Sequence, residues 1–391
     1  MNLDRRSFLR IAGSSAVILA AGSAGCLLTP TPSAALAPWD AAGNRYADPR
    51  MRVLSYAILA PNPHNRQPWL VDLDRPGEIV LHCDPQRLLP ETDPFGRQIV
   101  IGLGCFLELL RMAAAEDGVR AEIESFPEGI SGQLGERPIA RVRLTPVPGI
   151  DADPLFRFVL QRRSNKEPFD TDRPVAAGTL EALRPAAFGG ANSTAEPDAV
   201  AALRELTWQA HVLEARTPRT LMESVRLMRI GKAEINANPD GIDLGGPMLE
   251  VLRLLGQLDR DKLADPESVA FSQGLDMYRE IMHSAMAYVW LVSPDNGRRA
   301  QLAAGRDWLR LNLRATELGL AIHPVSQALQ EYPEMSTLYD QMRDRLGAAA
   351  GETVQMLGRL GYGPSIAPSP RWPLETRIRT DGERSPKQNA E

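Results

Sequence analysis

Cysteine is scarce in this chain: three residues in 391, at positions 26, 83 and 105. So few exclude a disulfide-built scaffold. Cys83 and Cys105 are expected as buried thiols. Histidine is nearly as rare, five in all and scattered, which argues against a protein metal site. No Gly-x-Gly-x-x-Gly follows a strand, since Gly102-Leu103-Gly104 lacks the third glycine. A Walker loop, His-Glu-x-x-His and Cys-x-x-Cys are absent too. No internal run of 18 apolar residues occurs, so a multi-pass membrane protein is excluded. There is no basic stripe with interleaved aromatics, and the net charge is −5. Nucleic acid is therefore not the expected partner.

What is present is an ordinary globular balance, 43% hydrophobic and 24% charged, in a chain long enough for two or three domains. The first residues form a charged stretch, Asp4-Arg5-Arg6-Ser7-Phe8-Leu9-Arg10, followed by small apolar residues from Ile11 to Ala24. This reads as a signal peptide and resembles the twin-arginine export signal. The resemblance implies export in the folded state, commonly with a cofactor already loaded, to the periplasm or the outer membrane face. Ser23-Ala24-Gly25-Cys26 is a weak lipoprotein-type box. Ala35-Leu36-Ala37 is the other candidate cleavage site, but Pro38 follows it. Acylation at Cys26, giving a lipid anchor, is the favoured reading.

The domain boundaries expected are 1–26 for the signal, 27–45 for a Pro/Ala-rich linker, 46–150 and 151–376 for two halves, and 377–391 for a polar tail. Residues 48–59 and 98–116 have helical spacing, while 69–73, 78–83, 120–126 and 140–147 read as strands. Residues 178–187, 199–215, 220–234 and 299–317 read as helices, and 287–293 as a buried strand. Helix and strand interleave in an α+β pattern. An internal repeat supports the two halves. With an offset of 201, Gly96-Arg97 matches Gly297-Arg298, Gly104 matches Gly305, and Gly118 matches Gly319. Leu110, Ala114 and Glu116 also match Leu311, Ala315 and Glu317.

The chemistry centres on Arg162-Arg163-Ser164-Asn165-Lys166. A guanidinium grips phosphate through two parallel hydrogen bonds, and a nearby hydroxyl and ammonium add to that grip. Upstream stands Pro61-Asn62-Pro63-His64-Asn65-Arg66-Gln67-Pro68-Trp69. Downstream stand Leu318-Gly319 with Pro324-Val325-Ser326, and Ser369-Pro370-Arg371-Trp372-Pro373. These four spaced motifs together resemble the nitroreductase family, over roughly residues 46–376.

The order departs from the usual pattern, because Asn-x-Gln-Pro-Trp comes about 100 residues before Arg-x-Ser instead of after it. Ordinary members are homodimers that hold each flavin between subunits. This chain resembles such a dimer fused into one polypeptide, as in the Acg-type branch: a nitroreductase-like fold of two tandem pseudo-repeats. The first half has the Asn loop and no Arg-x-Ser. The second has Arg-x-Ser but Gly189-Gly190-Ala191-Asn192 where Gln-Pro-Trp would stand.

The resemblance implies one FMN per chain and a monomer acting as an intramolecular pseudo-dimer. Arg162, Lys166 and Arg371 would hold the phosphate, and Ser164 a ring or ribityl oxygen. Pro61, Asn62 and Asn65 would line the flavin from the other half, with Gln67 and Trp69 fixing that loop. Pro324, Ser326 and Gln327 would pass along the ring edge, where relatives often carry an acid. No side chain is nominated as catalytic and none as a metal ligand. His64 beside the loop reads as a structural hydrogen-bonder. Residues 236–246 read either as a lid or as a plain helical connection. The implied function is two-electron oxidoreduction between an unidentified donor and a small-molecule acceptor. The alternative is a flavin-sequestering protein with little turnover.

Overall fold

The computed structural model describes residues 31–43, 45–130 and 132–379. The expected signal, with Cys26, and residues 380–391 of the expected tail lie outside the described residues. The first half contributes α1 (Ser33–Ala41), α2 (Pro49–Ala57), β1 (Trp69–Asp72), β2 (Glu78–Cys83), α3 (Arg97–Glu116), β3 (Val119–Ser125) and β4 (Ala140–Pro146). The second opens with α4 (Ala177–Leu183), β5 (Asn192–Thr194), α5 (Pro197–Arg216), α6 (Pro218–Leu227), β6 (Met228–Ile230), α7 (Gly231–Ala237) and β7 (Ile242–Leu244). It continues with α8 (Pro247–Leu254), α9 (Arg260–Ala264), α10 (Val269–His283), β8 (Ala287–Ser293), α11 (Arg298–Glu317), β9 (Ala321–Pro324), α12 (Ser336–Arg345) and β10 (Thr353–Gly361).

Each half builds one four-stranded antiparallel sheet. The orders are β1-β2-β4-β3 and β5-β8-β10-β9, so corresponding strands take corresponding places. The chain thus adopts the expected α+β fold of two tandem pseudo-repeats.

The repeat is sharpest where α3 crosses α11. A Cβ added at Gly104 would come within 2.2 Å of the Leu302 carbonyl oxygen, and one at Gly305 within 2.0 Å of the Ile101 oxygen. Each residue pairs with the repeat equivalent of the other's partner, the reciprocity expected across a two-fold axis. Only glycine permits so close a backbone approach. Local chemistry ends both helices alike. The αL glycines Gly118 and Gly319 follow α3 and α11, at φ +70° and +69°. Asp93 caps the start of α3 by accepting from the Gln98 and Ile99 amides at 3.1 and 2.9 Å.

α3 is long and apolar enough to cross a membrane by composition, yet 89% of its apolar window is buried, so it is the core helix of this fold. One continuous apolar core runs through both halves, from Trp69 and Phe106 to Trp308 and Leu360. Buried charges also join them. Glu108 accepts from Arg111 at 2.7 Å and Arg310 at 3.0 Å, while Asp153 accepts from Arg310 at 2.5 Å. Cys83 and Cys105 are both free and buried, and burial pushes each thiol up to about 12.

Three sequence expectations need correction. Residues 33–41 of the expected linker form α1, anchored by Trp39, which is 6% exposed. Alanine-rich composition reads as a spacer but is equally good helix material once one aromatic residue docks. The tail expected from 377 begins later. The Arg379 amide donates to the Val71 carbonyl at 2.7 Å, and Ile378 bridges Val71 in parallel. No strand is expected between the helices at 178–187 and 199–215, yet the edge strand β5 lies there and pairs with β8 through Asn192, Ser193 and Thr194.

Candidate functional site

The site begins at the C-terminal end of α2. There the backbone runs out of helix, and the carbonyls of Ile58, Leu59 and Ala60 point into the protein without intrahelical partners. Guanidiniums from the second half satisfy them. Arg371 donates through Nε to Ile58 O at 2.8 Å and through Nη2 to Leu59 O and Ala60 O at 3.0 Å. Arg162 Nη2 reaches the same Leu59 oxygen at 3.0 Å. Arg371 Nη1 also donates to Asn65 Oδ1 at 2.7 Å, and Asn65 Nδ2 returns a bond to Pro370 O at 3.0 Å. Three of the sequence motifs therefore meet in one hydrogen-bonded knot.

Arg163 joins them. The guanidinium carbons of Arg162, Arg163 and Arg371 stand 6.0, 5.1 and 5.6 Å from the centre of the Trp39 ring. Arg162 and Arg371 are 3% and 2% exposed. Among the described residues, none of the three has a carboxylate within ion-pair distance. Burial, then the neighbouring Arg162 charge, pushes Arg371 down to about 9, and burial pushes Arg162 down to about 10. Both remain cations at neutral pH, but in a setting that disfavours their charge.

The Asn loop is held in an uncommon shape. His64, Asn65 and Gln67 have φ of 46°, 49° and 51°, left-handed values that non-glycine residues rarely take. Gln67 fixes it as expected, donating to Pro239 O at 2.7 Å and accepting from the Trp372 amide at 2.9 Å. Asn62 Oδ1 accepts from the Gln67 amide at 2.7 Å, while Pro61 is half-buried beside it. Gly102 explains the glycine pair in α3: a Cβ there would press on Asn62 and Pro63 at 3.0 and 3.2 Å. Trp69 is fully buried against Phe106.

The ring-edge segment lies alongside. The Asn165 amide donates to Ile322 O at 2.9 Å, so Arg-x-Ser runs beside β9. Gln327 Oε1 is buried with no hydrogen-bond partner among the described residues, an orphaned acceptor of the kind a ligand satisfies. Pro324 ends β9, and Ser326 is half-buried just beyond it. Ser164 is half-buried, and its hydroxyl has no partner among the described residues.

Lys166 does not join the arginines. It is exposed, and its charge bears on His64 and His323 instead. Burial, then Lys166, pushes His64 down to about 4. Its Nε2 sits 3.4 Å from the Ser224 hydroxyl, a structural contact as expected. The sequence reading missed Arg163 as a site residue, and Trp39 and Arg359 altogether. Fully buried Arg359 braces Arg-x-Ser from beneath, donating to Glu167 O at 2.8 Å and His323 Nδ1 at 2.9 Å. A lone arginine in a strand gives no pattern that could have exposed it.

Residues 236–246 cover the Asn loop and are fastened to it. The Gly241 amide donates to Asn65 O at 3.3 Å. Buried Asp240 takes bonds from Arg87 and Arg229, each at 2.7 Å. Burial raises the pKa of this carboxyl, but the Arg229 bond and the two positive charges outweigh it and hold it below the ordinary 3.8. A depressed carboxyl contributes stability that is complete above its ordinary value and lost as pH falls through the folded value. Asp240→Asn should therefore lower stability by about 3 kcal/mol at neutral pH and flatten the acid limb of the urea midpoint plotted against pH. An unchanged acid limb would remove Asp240 from that account.

No family model matches the chain. Among curated proteins it is similar to the putative NAD(P)H nitroreductase Rv3131 of Mycobacterium tuberculosis, 25% identical over 341 residues, spanning 83% of this chain and 91% of that one. The uncharacterized protein Rv3127 of the same organism is 33% identical over 120 residues, 29% of this chain and 34% of its own. The putative NAD(P)H nitroreductase acg is 38% identical over 71 residues, 18% of this chain and 21% of its own. Among solved structures, the FMN-dependent nitroreductase NfnB of Mycobacterium smegmatis overlaps 57% of this chain and 96% of its own at 20% identity, with a TM-score of 0.36. That overlap is too loose to carry an argument. The similarity to Rv3131 runs over nearly the whole of both chains.

Proposed function

We propose that the chain is an exported oxidoreductase that binds one FMN between its halves and passes two electrons from a reduced donor to a small-molecule acceptor. The observation that carries this reading is the arginine cluster. Three cations converge, two of them almost fully buried, with no carboxylate within ion-pair reach among the described residues. Such an arrangement is stabilised by an anion of about two charges, as on a phosphate monoester. Arg162 and Arg163 would hold that phosphate directly, and Arg371, whose five N–H groups all donate to protein oxygens, would add its charge. The Ser164 hydroxyl is free to bond a ribityl or ring oxygen, and Gln327 Oε1 to accept from a ring N–H. Pro61, Asn62 and Asn65 would wall the ring from the first half, with Pro324 and Ser326 on the second.

When bound, FMN supplies the hydride chemistry, and the protein supplies position and field. His64, held neutral and against Ser224, orients the loop and does not relay protons. Lys166 would raise the positive potential on the ring side, which favours an anionic reduced ring. Because both parts of the site come from one chain, a monomer is the proposed working unit. Export by the twin-arginine route, with a lipid anchor at Cys26, is our proposal for location and rests on residues 4–26.

Purified protein should be yellow, with one flavin per chain by absorbance, and anaerobic NADPH in stopped flow should bleach it. A preparation that stays colourless after soaking in FMN overturns the reading. A flavin that binds but resists reduction by NADPH and by dithionite supports the sequestering alternative. That alternative is favoured by one feature: Ser326-Gln327 stand where relatives often carry an acid.

A further inference from the structure

The helix α1 has no place in the motif pattern, yet it sits on the candidate anion site. Its Trp39 ring is the surface on which all three guanidiniums converge. The indole Nε1–H donates to Ser369 O at 2.8 Å, two residues before Arg371. The Arg371 amide donates to Ala35 O at 2.8 Å, and the Ala35 amide donates to Asn236 Oδ1 at 3.1 Å. α1 is thus stitched to the C-terminal arginine segment and to the segment covering the Asn loop. With α1 seated, Trp39 is 6% exposed and Ala35 1%.

We propose that α1 is a latch on the anion site, Trp39 being its bolt. This rests on the flavin reading above and adds a rate-setting element to it. An indole face is a weak partner for guanidinium compared with a phosphate. The carbonyl bonds keep Arg162 and Arg371 in place, while the side of the cluster that Trp39 covers when no anion is present can be surrendered to one that arrives. A phosphate reaches the guanidiniums, or leaves them, only when α1 lifts. A latch speeds or slows both directions together, whereas simple damage to a binding site speeds only release.

Two measurements test this. Hydrogen–deuterium exchange on the flavin-free wild-type chain should show residues 35–41 protected. Exchange there as fast as in an unstructured peptide overturns the latch whatever flavin does. Stopped-flow flavin fluorescence should then show Trp39→Ala taking up and releasing FMN about tenfold faster in both directions, with Trp39→Phe close to wild type. Equal rates in wild type and Trp39→Ala, or faster release with slower uptake, overturn it. If wild type binds no FMN at all, the flavin reading falls by itself. Inorganic phosphate then replaces FMN in the exchange measurement, where a change at residues 35–41 supports the latch and no change overturns it.

Discussion

Arg371→Ala should release flavin from this protein, raising the FMN dissociation constant by at least about 100-fold, equivalent to roughly 3 kcal/mol. The reason lies in the double duty of this side chain. Arg371 joins the second half to the carbonyls ending α2, and it locks Asn65 of the left-handed loop. Alanine removes a cation from the anion site and frees a loop whose strain is offset by those bonds. The same change leaves the buried Ile58 carbonyl unpaired, at about 1–3 kcal/mol, while Leu59 O keeps Arg162 and Ala60 O keeps Asn62 Nδ2 at 3.1 Å, so the fold itself loosens. Arg371→Lys separates the two effects. Lysine keeps the charge but lacks the planar fork, and should weaken FMN by only about tenfold. Fluorescence titration measures affinity, and urea unfolding measures the loss of stability. An Arg371→Ala protein that binds FMN as tightly as wild type would rule out the arginine cluster as the phosphate site.

The second large effect is expected at the helix crossing. Gly305→Ala places a methyl 2.0 Å from the Ile101 oxygen and 2.8 Å from the Gly104 Cα. Those neighbours are backbone, so no side chain can swing aside, and the two helices must part. The expected cost is at or beyond the upper end of overpacking penalties, about 3 kcal/mol or more, because the shift propagates along both core helices. Gly104→Ala should do the same from the other side, against Leu302 O at 2.2 Å. The pair combined should cost much less than the sum of the singles, since once the helices have separated the second methyl finds space. Urea midpoints of the two single variants and the double decide this. Strict additivity would contradict a shared contact.

The equivalence of Gly104 and Gly305 was legible in the sequence, because glycine spacing in a repeat is a backbone constraint that composition does not mimic, but the crossing itself was not. The four motifs were legible for a related reason: Asn65, Arg162 and Arg371 act through short local patterns. Lys166 was grouped with Arg162 on proximity in sequence alone. Four residues after Arg162, it faces His64 and His323, while Arg163, one residue after, turns to Trp39. Trp39 was hidden inside a stretch whose Ala and Pro content reads as spacer. β10 escaped notice although every one of its residues is buried, because Gln355, Arg359 and two glycines break its apolar run. Arg359 is tolerable there only through partners distant in sequence, Ser284, Asn165 and Glu167.

If the two halves share one flavin site as proposed, their covalent joining alters how occupancy responds to dilution. In a two-subunit arrangement, thinning the protein below the dissociation constant of its subunits separates the walls and empties the pocket. Here the walls are tethered, so their effective local concentration is fixed by the linkage, and retention is independent of how many copies surround each molecule. On that proposal a scarce protein would keep its flavin even where none is resupplied.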